Sequence, residues 1–156
     1  MPPCFDVYTW IRTDDRPAIL SRFIERYVNR SDPGDPRFDA FLRTFVEETP
    51  SPGDAEALLD LRRETDAEAA FSLYLSAERF HGAIVTLTQE GDTVLGLSLD
   101  DPLNDPKVER QASTVLAWLM DEFDGSAGIG GVELAPPQSL KEWADNGLVT
   151  LRAGSI

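Results

Sequence analysis

The chain is predicted to fold as an α+β two-layer sandwich, a mostly antiparallel sheet with helices packed mainly on one face. Three observations lead there. Alternating apolar segments open the chain and fill its middle, and helical stripes gather in two blocks around them. The central strand segments are joined by turns, too short for the crossovers that parallel strands require. The element order reads β-α-α-α-β-β-β-α-β-α-β, in a single domain spanning residues 1–156.

The first element is a strand from Phe5 to Arg12, with Phe5, Val7, Thr9 and Ile11 on one side and Tyr8 and Trp10 on the other. Asp14 and Asp15 offer caps to a helix that begins near Pro17 and carries Ile19, Leu20, Phe23, Ile24, Tyr27 and Val28 as its stripe. Two Pro/Gly stretches, SDPGDP (31–36) and TPSPGD (49–54), read as turns between helices. Between them Phe38, Phe41, Leu42 and Phe45 fall at helical spacing, and a short third helix starts from an Asp54 cap.

Phe71, Leu73 and Leu75 alternate with Ser72, Tyr74 and Ser76 in the next strand. GAIVTLTQ and TVLGLSLD then flank EGDT, and a two-residue turn at Gly91-Asp92 would set Ile84 opposite Leu99 and Thr86 opposite Leu97. Leu95, Leu97 and Leu99 line a face that helices must cover. Asp105 caps the strongest helix of the chain, with Pro106 in its first turn and Val108, Ala112, Val115, Leu116, Leu119, Met120 and Phe123 on one face. A glycine loop and a strand GVELA follow. SLKE (139–142) has the pattern of a capping box, Gly147 ends the short helix it opens, and LVTLR is the last strand.

FDGSAGIGG (123–131) contains four glycines but runs in the wrong direction for a phosphate cradle. Phosphate loops lead from a strand into a helix N-terminus. This one leaves a helix C-terminus, beside Asp121, Glu122 and Asp124. Gly125 is expected to be the left-handed terminator of the helix and the remaining glycines a flexible return.

Charge limits the possible partners. The 156 residues include 28 acids and 14 bases, for a formal charge of −14, which disfavours nucleic acid and anionic membranes. No apolar run reaches the length of a membrane span or resembles a secretory signal, so a cytoplasmic setting is expected. Cys4 and His81 are the only residues of their types, which rules out an intramolecular disulfide and any multi-thiolate zinc site. The aspartates of DDPLND (100–105) read as turn and cap residues. No catalytic residue, metal ligand set or cofactor is assigned.

Two features point to a partner. Tyr8, Trp10 and Tyr74 share the less aliphatic side of their strands and are expected to form an aromatic patch on an open sheet face. Glu47, Glu48, Asp121, Glu122 and Asp124 crowd two helix C-termini, where acids oppose the dipole and no nearby base in the sequence offsets them. Together these residues describe an acidic, non-enzymatic interaction module that binds a basic protein, as an inhibitor or immunity protein would. The alternatives are a small metal-dependent hydrolase built on Asp100, Asp101 and Asp105, and a small-ligand sensor around Tyr8 and Trp10.

Overall fold

In the computed structural model, which describes residues 3–62 and 70–156, six strands form one sheet in the order β2-β3-β4-β1-β5-β6. The strands are β1 (Cys4–Ile11), β2 (Phe71–Leu75), β3 (Gly82–Leu87), β4 (Thr93–Asp100), β5 (Ala127–Val132) and β6 (Leu151–Gly154), and every neighbouring pair is antiparallel. The helices are α1 (Arg16–Tyr27), α2 (Phe38–Phe41), α3 (Asp54–Leu59), α4 (Pro106–Phe123) and α5 (Leu140–Asp145). A π-helical turn, Leu42–Val46, continues α2. The fold is the expected α+β two-layer arrangement.

Three of the four expected caps act where the sequence puts them. Asp15 accepts from the Ala18 amide at 3.3 Å to start α1, and Asp105 from the Lys107 amide at 2.9 Å to start α4. Ser139 accepts from the Glu142 amide at 3.1 Å, while Glu142 Oε1 accepts from the Gln138 amide at 3.3 Å, one residue earlier than a capping box requires. Asp54 is the first residue of α3 instead of its cap. Its carboxylate accepts from the Ser51 amide and from Arg43.

The strand parities hold and set two cores. Phe5, Val7 and Ile11 of β1, with Leu95, Leu97 and Leu99 of β4, pack under α1, α2, α3 and α4. The β4–α4–β5 connection carries α4 over β1 and β5, so its buried Val115, Leu116 and Leu119 stand over the sheet centre. Tyr8, Trp10, Ile84, Val94 and Ile129 face the other way, and Leu134 and Trp143 cover them.

Three expectations need correction. The β3–β4 register pairs Ile84 with Gly96 and Thr86 with Val94, because the turn holds three residues and Thr88 N–H bonds to the Asp92 carbonyl at 2.9 Å. Gly91, at φ 86°, takes the left-handed position that such a turn needs. Leu97 and Leu95 of β4 therefore oppose Ala83 and Val85 of β3, and Leu87 opposes Thr93.

The glycine run is not a loop. Ala127–Val132 is an interior strand, its backbone paired with β1 on one side and, from Ala127 to Gly130, with β6 on the other. A Cβ on Gly128 would lie 2.7 Å from Leu116 Cδ1 and 2.8 Å from Met120 Sδ, so glycine here admits the helix. The left-handed residue after α4 is Asp124 (φ 54°), and Gly125 is instead hemmed in by the Thr9 side chain. Aspartate tolerates that conformation better than most residues.

Candidate functional site

The sheet end where β1 begins and β4 finishes collects the chain's unusual chemistry. Cys4 and Asp100 are ladder partners at the β1–β4 margin. His81 precedes β3, where its amide donates to the Ser98 carbonyl at 2.9 Å. Its Nδ1 lies 2.8 Å from Asp100 Oδ1. One ligating atom each from Cys4, His81 and Asp100 fall within 4.8 Å of one another. Glu133 closes the other side of Cys4, accepting from its amide at 3.0 Å.

Asp6 stands one pleat inward and is buried. Its carboxylate accepts from the Ser98 hydroxyl and, at 3.0 Å, from the Leu134 amide. Burial raises the Asp6 pKa against the pull of these two donors. The Tyr8 hydroxyl donates to the Leu134 carbonyl, and burial pushes its pKa well up. Residues 133–136 thus close over β1 by satisfying two buried polar groups. A cavity of about 320 Å³ remains between this strap and Tyr74, Ile84 and His81.

A cysteine, histidine and aspartate in proximity also make up the parts of a thiol nucleophile. The electrostatics here oppose one. Burial raises the Cys4 pKa, and Asp6, Asp100 and Glu133 raise it further. Cys4 opens a strand, so no helix N-terminus stabilises its thiolate.

On the helical face His81 and Asp100 also border a groove of about 640 Å³. Its floor includes Leu99 and Val115, with Phe80 and Trp118 on its walls. Exposed Gln111, Thr114 and Trp118 recur at helical spacing along α4 as a second stripe beside the sheet-facing one, with the buried Val115 at their border. Trp118 is 63% exposed.

The residues picked from sequence are distributed differently from the expected patch. Tyr8 and Trp10 are buried, at 1% and 0% exposure, because the strap and α5 cover a face expected to be open. Trp10 meets Trp143 edge-on at 5.4 Å and donates its indole N–H to Asp92 at 3.0 Å. Both rings are core residues, which removes the surface proposed for a sensor. Only Tyr74, on edge strand β2, remains exposed at 56%.

The acidic helix ends differ from one another as well. Glu122 lies 2.7 Å from Arg26 Nε and accepts from the Tyr27 hydroxyl at 3.0 Å, and Arg22 donates to the Glu122 carbonyl at 3.0 Å. Bases of α1 therefore offset the end of α4, a neighbour relation that the sequence does not display. Asp121, Asp124, Glu47 and Glu48 are exposed. Of the DDPLND acids, Asp101 is buried and accepts from the Asp105 amide at 2.7 Å, Asp105 caps α4, and only Asp100 reaches His81.

The His81–Asp100 pairing was missed because the assumed hairpin register was three residues out. With Gly91 read as the third residue of a longer turn, Gly82 falls opposite Ser98 and brings the two together.

No protein-family model matches the chain, and neither the curated proteins nor the solved structures contain a significant match to it. Among the described residues no helix is long and apolar enough to cross a membrane.

Proposed function

We propose that this chain is a non-enzymatic interaction module that binds a basic protein segment, in the manner of an inhibitor or immunity protein, with Trp118 as its apolar anchor. Trp118 carries the reading. The other two tryptophans are core residues, and this one stands in a groove with Phe80, Leu99 and Val115 beneath it. Tryptophan at a groove is the residue type most often found to dominate a binding energy. The occupant is a cationic segment that inserts an aliphatic or aromatic side chain beside Trp118. Its Lys and Arg residues have Glu78 and Asp100 at a rim that also carries Arg79, and a protein of net charge −14 around them.

The exposed Glu47, Glu48, Asp121 and Asp124 extend the reading as sources of long-range attraction, which raises association rates at low salt, and the exposed Tyr74 adds an aromatic contact. The same excess of acid speaks against nucleic acid and anionic membranes as partners. A cytoplasmic setting agrees with a lone thiol and no disulfide.

The test uses a synthetic amphipathic Lys/Leu peptide, with a Glu/Leu peptide of the same length as control. The Lys/Leu peptide should bind saturably, more weakly as salt rises, and protect the exposed tryptophan from iodide quenching. Trp118→Ala should keep the circular dichroism and lose at least about tenfold in affinity. Equal binding of the acidic peptide, or unchanged affinity in a folded Trp118→Ala protein, would overturn the proposal.

A further inference from the structure

We propose that Cys4, His81 and Asp100 form a binding site for a zinc-class divalent cation at the sheet end, with a fourth coordination position open to the cavity beneath Tyr74. The site shares His81 and Asp100 with the border of the Trp118 groove but rests on separate observations. Three donors of three chemical types come from the start of β1, the approach to β3 and the end of β4, and their ligating atoms lie within 4.8 Å of one another. The β1–β4 ladder and the His81 amide bond to Ser98 hold the backbones that carry them.

The donor set selects the ion. Thiolate with imidazole and carboxylate suits zinc and its cobalt surrogate, whereas magnesium and calcium require oxygen donors throughout. Tetrahedral zinc at its usual bond lengths sets neighbouring donors about 3.4–3.8 Å apart. The three side chains need to close by about 1 Å at most, and His81 and Asp100, now at 2.8 Å, need to open by about half an ångström. Both shifts are small for groups whose side chains are half-buried or exposed. Binding replaces the Cys4 S–H bond with a sulfur–metal bond and releases that proton to solvent. Asp6 and Glu133, which face the same cavity, add negative charge that favours a cation.

Three protein ligands leave one position for water or a small anion, and the cavity of about 320 Å³ that Cys4 and His81 line offers the room. Tyr74, Ile84 and Pro136 form its apolar side.

The full-length protein is titrated with Zn²⁺ against a chromophoric chelator, and separately with Co²⁺ followed by absorption. One equivalent of zinc should bind, with one proton released per ion. Cobalt should give a near-ultraviolet thiolate charge-transfer band together with the strong visible bands of a four-coordinate ion. Cys4→Ser, His81→Gln and Asp100→Asn should each weaken zinc binding at least about tenfold, and Cys4→Ser should remove the charge-transfer band. Magnesium should not compete. No charge-transfer band in the unmodified protein would overturn the site whatever the variants do. Zinc affinity unchanged by His81→Gln or Asp100→Asn in folded protein would overturn it too, by moving the ion to the acidic surface.

Discussion

Leu116 of α4 lies against Gly128 of β5 so closely that a Cβ on residue 128 would meet its Cδ1 at 2.7 Å. The pair explains why residue 128 is glycine in an interior strand and why the long helix can cross it. Leu116→Ala should cost about 2–5 kcal/mol, as other large-to-small core changes do. Gly128→Ala should cost about 1–3 kcal/mol by overpacking. Made together, the two changes should cost less than their sum, because the smaller residue 116 vacates the space the new methyl needs. Urea denaturation of the four proteins measures the coupling, and strict additivity would show that the two residues do not share that space.

Asp6 separates charge from hydrogen bonding. Asn at this position can accept from the Leu134 amide and donate to the Ser98 hydroxyl, which is free to turn. Asp6→Asn should therefore leave stability at neutral pH unchanged or raise it, since it removes a buried charge. Asp6→Ala should cost about 1–3 kcal/mol, because the Leu134 N–H is left buried without an acceptor. Thermal melts of the two variants should differ in that order.

The end of α4 divides into one acid with partners and two without a structural role in view. Glu122→Gln should cost up to about 1 kcal/mol through loss of its pairing with Arg26, an ion pair open to solvent on the arginine side. Asp121→Asn should be neutral within about 0.5 kcal/mol. Asp124→Gly should gain up to about 1 kcal/mol, because glycine suits the left-handed φ of 54° that aspartate now occupies. Chemical denaturation checks the three signs independently.

Acid stability should carry the mark of Asp54. Its carboxylate accepts from Arg43 at 2.8 and 2.9 Å and from the Ser51 amide at 2.8 Å, which holds its pKa down to about 2. The folded value lies below the unfolded one, so its contribution is complete above about pH 4 and is lost as the pH falls towards 2. Asp6 runs the other way. Its raised pKa makes protonation favourable to the folded state as pH falls. Arg43→Gln should therefore flatten the loss of stability between about pH 4 and about pH 2 relative to the unmodified protein, with Asp6 common to both. An identical acid limb in the two proteins would remove Arg43 as the cause.

Local rules made most of the fold legible. Alternation in β1, β2 and β4 and the 3.6-residue stripes of α1 and α4 each arise within one segment, and so do the Asp15, Asp105 and Ser139 caps. The misreadings concern relations between segments. Gly128 to Gly131 look like a loop until β1 and β6 are known to flank them and α4 to lie over Gly128. Tyr8 and Trp10 look like surface residues until residues 133–149 fold back over their face. The candidate site was the least legible part, because Cys4, His81 and Asp100 meet only through two strand registers, one of which depends on a single turn residue. Trp118 was passed over because the stripe of α4 that faces the sheet drew attention from its neighbours on the other side.

The central claim is that the Trp118 groove receives a cationic segment, and the indole N–H resonances test it most directly. Three tryptophans give three such signals, with Trp10 bonded to Asp92 and Trp143 packed against it in the core. On titration with the Lys/Leu peptide, the Trp118 signal should shift or broaden saturably while those of Trp10 and Trp143 stay in place. Peptide binding that leaves the Trp118 signal unmoved would contradict the account.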